Sequence, residues 1–364
     1  MGENSIRNDR PAETVAQTAT QTAEQTTEQT AAPTAKKRIL TGDRTTGRLH
    51  LGHYVGSLRN RVRLQHDYET FILLADVQAL TTHFENPSLI RESIIEVAID
   101  NLSVGLDPEI STIVQQSQVP AISELTVFYS MFVTVNVLRH NPTIKTEAKQ
   151  YGYEDLTYGF LGYPVSQTAD ITFCDADIVP VGEDQVPHIE LSRKIVRRFN
   201  DLYGGGEPVI CVPAALVGDT PRLAGLDGNQ KMGKSLGNAI YLSDDAASVS
   251  EKVRNAVTDM NRIRVTDKGN PDICNVSAYH KAFNAAEHEN VCEMCRSASI
   301  GCVACKKNLA AALNGLMDPF REKRARLEAD MDYVRDVIAS GTEKARRIGE
   351  QTVGRAKRAM NIEL

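Results

Sequence analysis

A chain of 364 residues, 41% hydrophobic and 24% charged, has the composition of an ordinary globular protein and a length suited to roughly two domains. Its formal net charge of −6 excludes a global basic field as the means of holding a nucleic acid, so such a partner needs local basic patches, and DNA is not expected. No apolar run approaches the ~20 residues needed to cross a bilayer, and no basic start leads into an apolar stretch, so no membrane contact and a cytoplasmic location are expected.

Residues 1–35 are built from Thr, Gln, Ala and Glu, with almost no large apolar side chain to offset the entropy of ordering. Disorder is expected there, a weak helix being the alternative. Over residues 36–203 strands and helices alternate. A strand over 38–41 leads into the turn Gly42-Asp43-Arg44-Thr45-Thr46-Gly47, and a helix opens near His50. The apolar run 71–76 reads as a buried parallel strand, 87–105 as a helix ending at a glycine, and 111–116 as the next strand. This βαβ order predicts an α/β fold, a Rossmann-like doubly wound parallel sheet over 36–243, with ligands at the carboxyl ends of its strands.

From residue 244 onward Ala, Arg, Glu and Lys dominate, which predicts an all-helical domain over 244–364. Its last stretch, 317–360, predicts two helices separated near Ser340-Gly341, with Thr342 as N-cap. Basic residues cluster at 193–198, 321–326 and 344–358, where solvated helix faces are the plain reading and partner patches the functional one.

Two short motifs carry the chemistry. His50-Leu51-Gly52-His53 would open a helix whose N-terminal amides attract phosphate, and Lys231-Met232-Gly233-Lys234-Ser235 puts two ammonium groups and a hydroxyl on one loop. Separately, each also fits surface histidines or a solvated basic turn. Of the seven cysteines, Cys174 and Cys211 lie in apolar surroundings and read as buried core thiols, while Cys274, Cys292, Cys295, Cys302 and Cys305 crowd together. Cys292-x2-Cys295-x6-Cys302-x2-Cys305 supplies two thiolate pairs, a plausible four-ligand set for Zn2+.

With both motifs on such a sheet, the chain resembles the class I aminoacyl-tRNA synthetases, and among these the tryptophanyl-tRNA synthetases of bacteria. The resemblance rests on the string from Thr41 to Tyr54, on Tyr163-Pro164-Val165-Ser166-Gln167-Thr168-Ala169-Asp170-Ile171, on Val179-Pro180-Val181-Gly182-Glu183-Asp184-Gln185, and on the Lys231 to Ser235 loop. It runs from about residue 37 to the C-terminus. It implies a tryptophan-tRNA ligase that joins L-tryptophan and ATP, with Mg2+, into tryptophanyl-adenylate and then charges tRNA(Trp), as a homodimer. His50, His53, Lys231, Lys234 and Arg44 are the implied catalytic residues. Gly42, Asp43, Gly52, Gly182, Glu183, Asp184, Met232, Gly233 and Ser235 complete the implied ATP site, with Gly42 and Gly52 letting backbone approach adenine and phosphate. Asp170 is implied to accept the indole N–H, with Tyr163 and Gln185 at the substrate's amino group and Gln167 and Gln78 beside the indole.

Gln167 and Gln78 depart from the methionine and histidine common in that family, as in a divergent second form found in some bacteria, and the loop has Gly233 where serine is usual. Cys274, Cys295, Cys302 and Cys305 resemble the ligands of a [4Fe-4S] cluster found in some of these enzymes, with Cys292 as the alternative ligand and zinc as the alternative metal. The other readings are a tyrosyl-tRNA synthetase and a non-catalytic redox or tryptophan sensor. The chain has no tryptophan among its residues, which would let it be translated when charged tRNA(Trp) is exhausted, or reflects chance loss of a rare residue.

Overall fold

The computed structural model describes residues 36–218, 223–228 and 232–363, except the side chains of Asp184 and Ser235. The tail 1–35, read as disordered, and Lys231 lie outside the described residues. Strand β1 (Arg38–Arg44) runs through a loop into α1 (Leu51–His53), a π-helical turn and α2 (Arg59–Leu64). β2 (Glu69–Ala75), α3 (Asp76–His83), α4 (Pro87–Ser103) and β3 (Ser111–Gln115) follow. Next come α5 (Pro120–Ser130), α6 (Val135–Arg139), α7 (Pro142–Tyr151) and α8 (Tyr158–Thr172). β4 (Ile178–Val181), α9 (Val186–Tyr203) and β5 (Ala214–Val217) close the sheet. The rest is helical: α10 (Ala246–Asn255), α11 (Asn275–Phe283), α12 (Ala285–Arg296), α13 (Cys302–Ala329) and α14 (Met331–Ala359). Lys36–Leu364 form one compact unit.

All pairs in the five-stranded sheet are parallel, in the order β3-β2-β1-β4-β5. β2 shows why it is central. Phe71, Leu73 and Ala75 join a core on one face with α5, α8 and α9, and Ile72 and Leu74 join a second core on the other with α4, α10, α11 and α13. Successive side chains of a strand point to opposite faces, and apolar residues at every step therefore require a sheet covered on both sides.

The strand expected over 38–41 continues to Arg44, because Gly42, Asp43 and Arg44 stay in register with Leu73, Leu74 and Ala75. On its other side β1 meets β4 at a single pair, Ile39 with Ile178. Beyond that pair the two strands part. Chain order reverses between them, so the cleft opens at the switch point where such sheets take ligands.

The break expected at Ser340-Gly341 is instead at Asp330, whose side chain accepts the Tyr333 amide and starts α14. Ser340, Gly341 and Thr342 lie inside α14 for a tertiary reason. α14 covers the exposed edge of the sheet: Thr342 Oγ1 accepts the Gln115 N–H at 3.0 Å, and Gly341 lies where any Cβ would collide with the Ile113 carbonyl. We expect Gly341→Ala to lower stability by about 1–3 kcal/mol, since overpacking outweighs the roughly 1 kcal/mol that alanine gains in helix propensity. Denaturant unfolding would measure it, and a stabilised variant would show that α14 does not press on β3.

Candidate active site

The His50 motif caps its own short helix. His50 Nδ1 accepts the Gly52 N–H at 3.1 Å, His53 Nδ1 accepts the His50 N–H at 3.2 Å, and the ring centroids are 3.9 Å apart. A Cβ on Gly52 would strike the His50 ring, and one on Gly42 would strike the Leu73 carbonyl. Protein packing thus requires a glycine at both positions. The Gly52 amide is likewise taken by His50, so attraction of phosphate falls to the side chains. The segment is pinned from outside by Leu51 N–H to Ile240 O at 2.9 Å and Leu242 N–H to Leu49 O at 3.0 Å.

The second motif lies beside the first. Met232 is buried in the same core as Leu49 and Leu51, and the Gly233 N–H donates to Asn238 Oδ1 at 2.9 Å. Lys234 Nζ donates to the Gly47 carbonyl at 2.6 Å. Burial lowers its ammonium to about 8, against the upward pull of Asp43 and Asp100 and with a further push down from Arg44. Lys231 and the Ser235 side chain, both expected here, lie outside the described residues. Gly233 has extended backbone, φ −146° and ψ 143°, and a Cβ there would meet only Leu236 at 3.4 Å. Gly233→Ser is therefore expected to fold normally and to change adenylate formation by less than about tenfold, since the change adds one hydroxyl and leaves Lys234 in place. A gain of several orders of magnitude in pyrophosphate exchange would overturn this.

A cavity of ≈ 390 Å³ occupies the parting of β1 and β4. It gathers Gly42, Asp43 and Arg44 from β1, Gly182 after β4, and Gln78, Tyr163, Gln167, Asp170 and Gln185 from the neighbouring helices and turn. His50, Gly52, His53, Glu183, Met232, Gly233 and Lys234 are not among its walls; the histidine and lysine motifs flank the 43–49 loop instead. Glu183 opens the short turn Glu183–Gln185, and the Asp184 side chain is outside the described residues.

Within the cavity, Asp170 lies near the C-terminal end of α8. It is 4% exposed. Burial pushes its carboxyl up to about 7, Gln116 pulls it down, and Asp76 raises it further. Gln116 Nε2 donates to Asp170 Oδ1 at 2.7 Å, while Gln116 Oε1 accepts the Gln78 backbone N–H at 3.0 Å. One glutamine thus fixes the acid and the start of α3. The Tyr163 hydroxyl lies 3.1 Å from His188 Nε2 and beside the Glu147 carboxylate; burial first, then Glu147, pushes the phenol upward.

Asp43 lines the cavity and is also tied into a buried ion pair. Its carboxylate accepts from Arg61 Nη2 at 3.1 Å and from Asn101 Nδ2 at 3.2 Å, and Arg61 also donates to the Gly42 carbonyl. Burial works against its ionisation, but Arg61 more than offsets this and the carboxyl titrates below its ordinary range. Arg44 reaches Thr82 Oγ1 and lines the cavity.

The chain that builds this cleft, with a buried carboxylic acid in its wall, matches one set of known proteins. The profile described as tRNA synthetases class I (W and Y) matches residues 32–318. The chain is 47% identical over 338 residues to the tryptophan-tRNA ligase of Clostridium longisporum, covering 90% of this chain and 98% of that one, and 48% identical to that of Streptococcus mutans, covering 90% and 99%. The chain belongs to the class I tryptophanyl-tRNA synthetases. Among solved structures, the tryptophanyl-tRNA synthetase of Campylobacter jejuni, complexed with ADP and tryptophan, is similar with a TM-score of 0.79 and 26% identity, covering 89% of this chain and 99% of that one.

As in any tryptophanyl-tRNA synthetase the chemistry is that of an aminoacyl-tRNA ligase, and several residues that shape its site escaped the sequence. Gln116, Glu147, His188 and Arg61 were not singled out. Gln116 alone left a signal, as a polar residue just past a buried strand, at the end where ligands bind.

The cysteine region departs from expectation. Cys174 is fully buried as expected, but Cys211 is only half-buried. Burial pushes the Cys305 thiol up to about 12, and the charges of Cys274, Cys295, Cys302 and Cys292 add to it. Cys295 Sγ instead meets Arg262 Nη1 at 3.7 Å, Cys305 Sγ meets His280 Nε2 at 3.5 Å, and Cys292 Sγ meets His288 Nε2 at 3.4 Å. Among the described residues no three His, Cys, Asp or Glu side chains are arranged to hold a metal ion. The thiols of Cys274, Cys292, Cys295 and Cys302 nevertheless all lie near enough to Cys305 to act on its charge, so the fold gathers the five cysteines in one region without forming a site for a single ion.

Proposed function

We propose that the chain activates L-tryptophan with ATP, forming tryptophanyl-adenylate and pyrophosphate, and then transfers tryptophan to tRNA(Trp). One observation carries the tryptophan reading: a buried carboxyl, Asp170, has one oxygen held by Gln116 and faces a cavity of amino-acid size. Its second oxygen suits the indole N–H. A substrate that leaves such a group unpaired is rejected far more strongly than one that merely fits poorly. Tyr163, Gln185 and Glu147 line the same cavity and suit the substrate's ammonium group.

The tryptophan carboxylate attacks the α-phosphorus in line, and negative charge grows on the phosphates. Lys234, His50 and His53 supply positive charge and hydrogen bonds there, and Arg44 does so from the cavity wall. Asp43 keeps Arg61 and the loop in place. Mg2+ enters with the nucleotide, as part of the MgATP substrate. Pyrophosphate exchange driven by tryptophan, and not by tyrosine or phenylalanine, is the expected result; exchange driven by tyrosine would replace this reading with the tyrosyl one.

Residues 244–364 are assigned to tRNA contact, though not through every basic run. Lys344 pairs with Glu69 at 3.0 Å, Arg355 with Asp175 at 2.5 Å, and Lys357 with Glu124. These cations tie α14 to the body of the enzyme. A homodimer is supported by exposed apolar side chains on and between α5 and α6, Val127, Met131, Val135 and Val137. Among the described residues no helix is long and apolar enough to cross a membrane.

A further inference from the structure

The basic run 321–326 reads as a solvated face, yet Arg324 is 5% exposed. Its guanidinium is fully engaged. Nη1 donates to Asp100 Oδ1 at 2.7 Å, Nε donates to Glu328 at 2.8 Å, and Nη2 reaches Glu96. Asp100, with no exposed surface, gives its other oxygen, Oδ2, to the backbone N–H of Leu49 at 2.7 Å. Leu49 immediately precedes His50, whose ring caps α1. The next residue of α4, Asn101, donates to Asp43 Oδ2 together with Arg61. The last turn of α4 therefore holds both ends of the 43–49 loop, the loop whose Gly47 carbonyl receives Lys234 Nζ. Glu96, one turn earlier, also accepts from Arg48 Nε at 3.0 Å.

We propose that Asp100 and Arg324 are positioning residues of the adenylate-forming step: the buried pair fixes the Leu49 amide, and through it His50 and the Lys234 rest, tying α13 to the signature loop. Neither residue is among the walls of the cavity. Their effect is on where the cationic groups stand, and an error of about 1 Å in that placement is enough to cost roughly 10²-fold in rate. Asp170 and Tyr163, on α8, are held by Gln116 and His188 rather than by this pair, so the acid end of the tryptophan pocket is positioned separately from it.

That separation supplies the test. It rests on the functional reading above, and the wild-type enzyme is its control: no tryptophan-driven exchange in wild type would defeat that reading itself. Given wild-type exchange, Arg324→Gln is expected to lower kcat by about 30–100-fold while leaving the tryptophan KM within about twofold, with Arg324→Lys recovering most of the loss. A kcat within threefold of wild type overturns the proposal, and so does a tryptophan KM that rises as kcat falls, the mark of general loosening. Loss of one partner of a buried pair is strongly destabilising. Glu96→Gln, at a half-buried position, therefore provides a second variant that keeps the Asp100 bond, and it is expected to lower kcat about three- to tenfold at unchanged tryptophan KM. An unchanged kcat in Glu96→Gln, should Arg324→Gln fail to fold, also overturns the proposal.

Discussion

Asp170→Ala is expected to raise the KM for tryptophan by about 10²–10³-fold, because it removes a bond to a charged acceptor and leaves the buried indole N–H without a partner, together about 3–4 kcal/mol. Phenylalanine activation should rise relative to tryptophan, since the alanine site no longer demands a donor. The wild-type acid titrates near 7, raised by burial and by Asp76. Below that pH the carboxyl is protonated, and above it the stronger, charged acceptor is present. The tryptophan KM should therefore fall as pH rises from 6 to 8, and this step should vanish in Asp170→Asn. A step that persists in the asparagine variant would assign the titration to another group.

The same burial makes Asp170 a cost to the fold. A carboxyl whose folded-state value is raised contributes stability that is full below its unfolded value, near 4, and is lost as pH rises through about 7. Asp170→Asn should thus be more stable than wild type at pH 8, on the order of 2–4 kcal/mol, while being the poorer enzyme. Thermal or denaturant unfolding without substrates would measure it. Equal stability at pH 8 would mean that the buried acid ionises without penalty.

Lys234→Ala carries the other large effect. It removes an ammonium from the place where phosphate charge develops, and removal of one such donor costs about 10²–10³ in kcat, or roughly 3–4 kcal/mol. Tryptophan binding should be little changed, because Lys234 is not among the walls of the Asp170 cavity. Burial lowers the Lys234 ammonium to about 8, so kcat/KM for ATP, which reports the free enzyme, should fall as pH rises through that value. In Lys234→Arg the guanidinium stays charged, and that alkaline limb should flatten even if the maximum is lower. For stability the sign is opposite to that of Asp170. A lysine lowered by burial is a cost at neutral pH that eases as pH rises above 8, so Lys234→Met should be the more stable protein at pH 7. An unchanged alkaline limb in the arginine variant would exclude Lys234 as its source.

Much of this site was legible in the residues alone. The strands β1, β2 and β3 announced themselves as short apolar runs, and Tyr163, Gln167, Asp170, Gly182 and Gln185, read from separate strings, do line one cavity. Local patterning failed wherever a distant partner set the role. Gly341 and Thr342 look like a helix boundary and are instead the contact of α14 with the β3 edge. Asp43 reads as part of the nucleotide site, and nothing local shows that it is also bound to Arg61, which lines the same cavity. The cysteines have metal-ligand spacing and do gather in one region, but spacing along a chain does not show that Cys295, Cys305 and Cys292 also meet Arg262, His280 and His288.

The sequence by itself determined the class of fold, the family, and the types of side chain brought to the reaction, because apolar period and motif spacing are local properties. Only the tertiary structure decided which charges are free to act. Arg324 and Asp100 are 224 residues apart, and no local rule distinguishes that arginine from its exposed neighbour Arg326. Their burial together at 2.7 Å is a consequence of packing α13 on α4, and burial is what turns an ordinary ion pair into a fixed strut beneath the His50 loop.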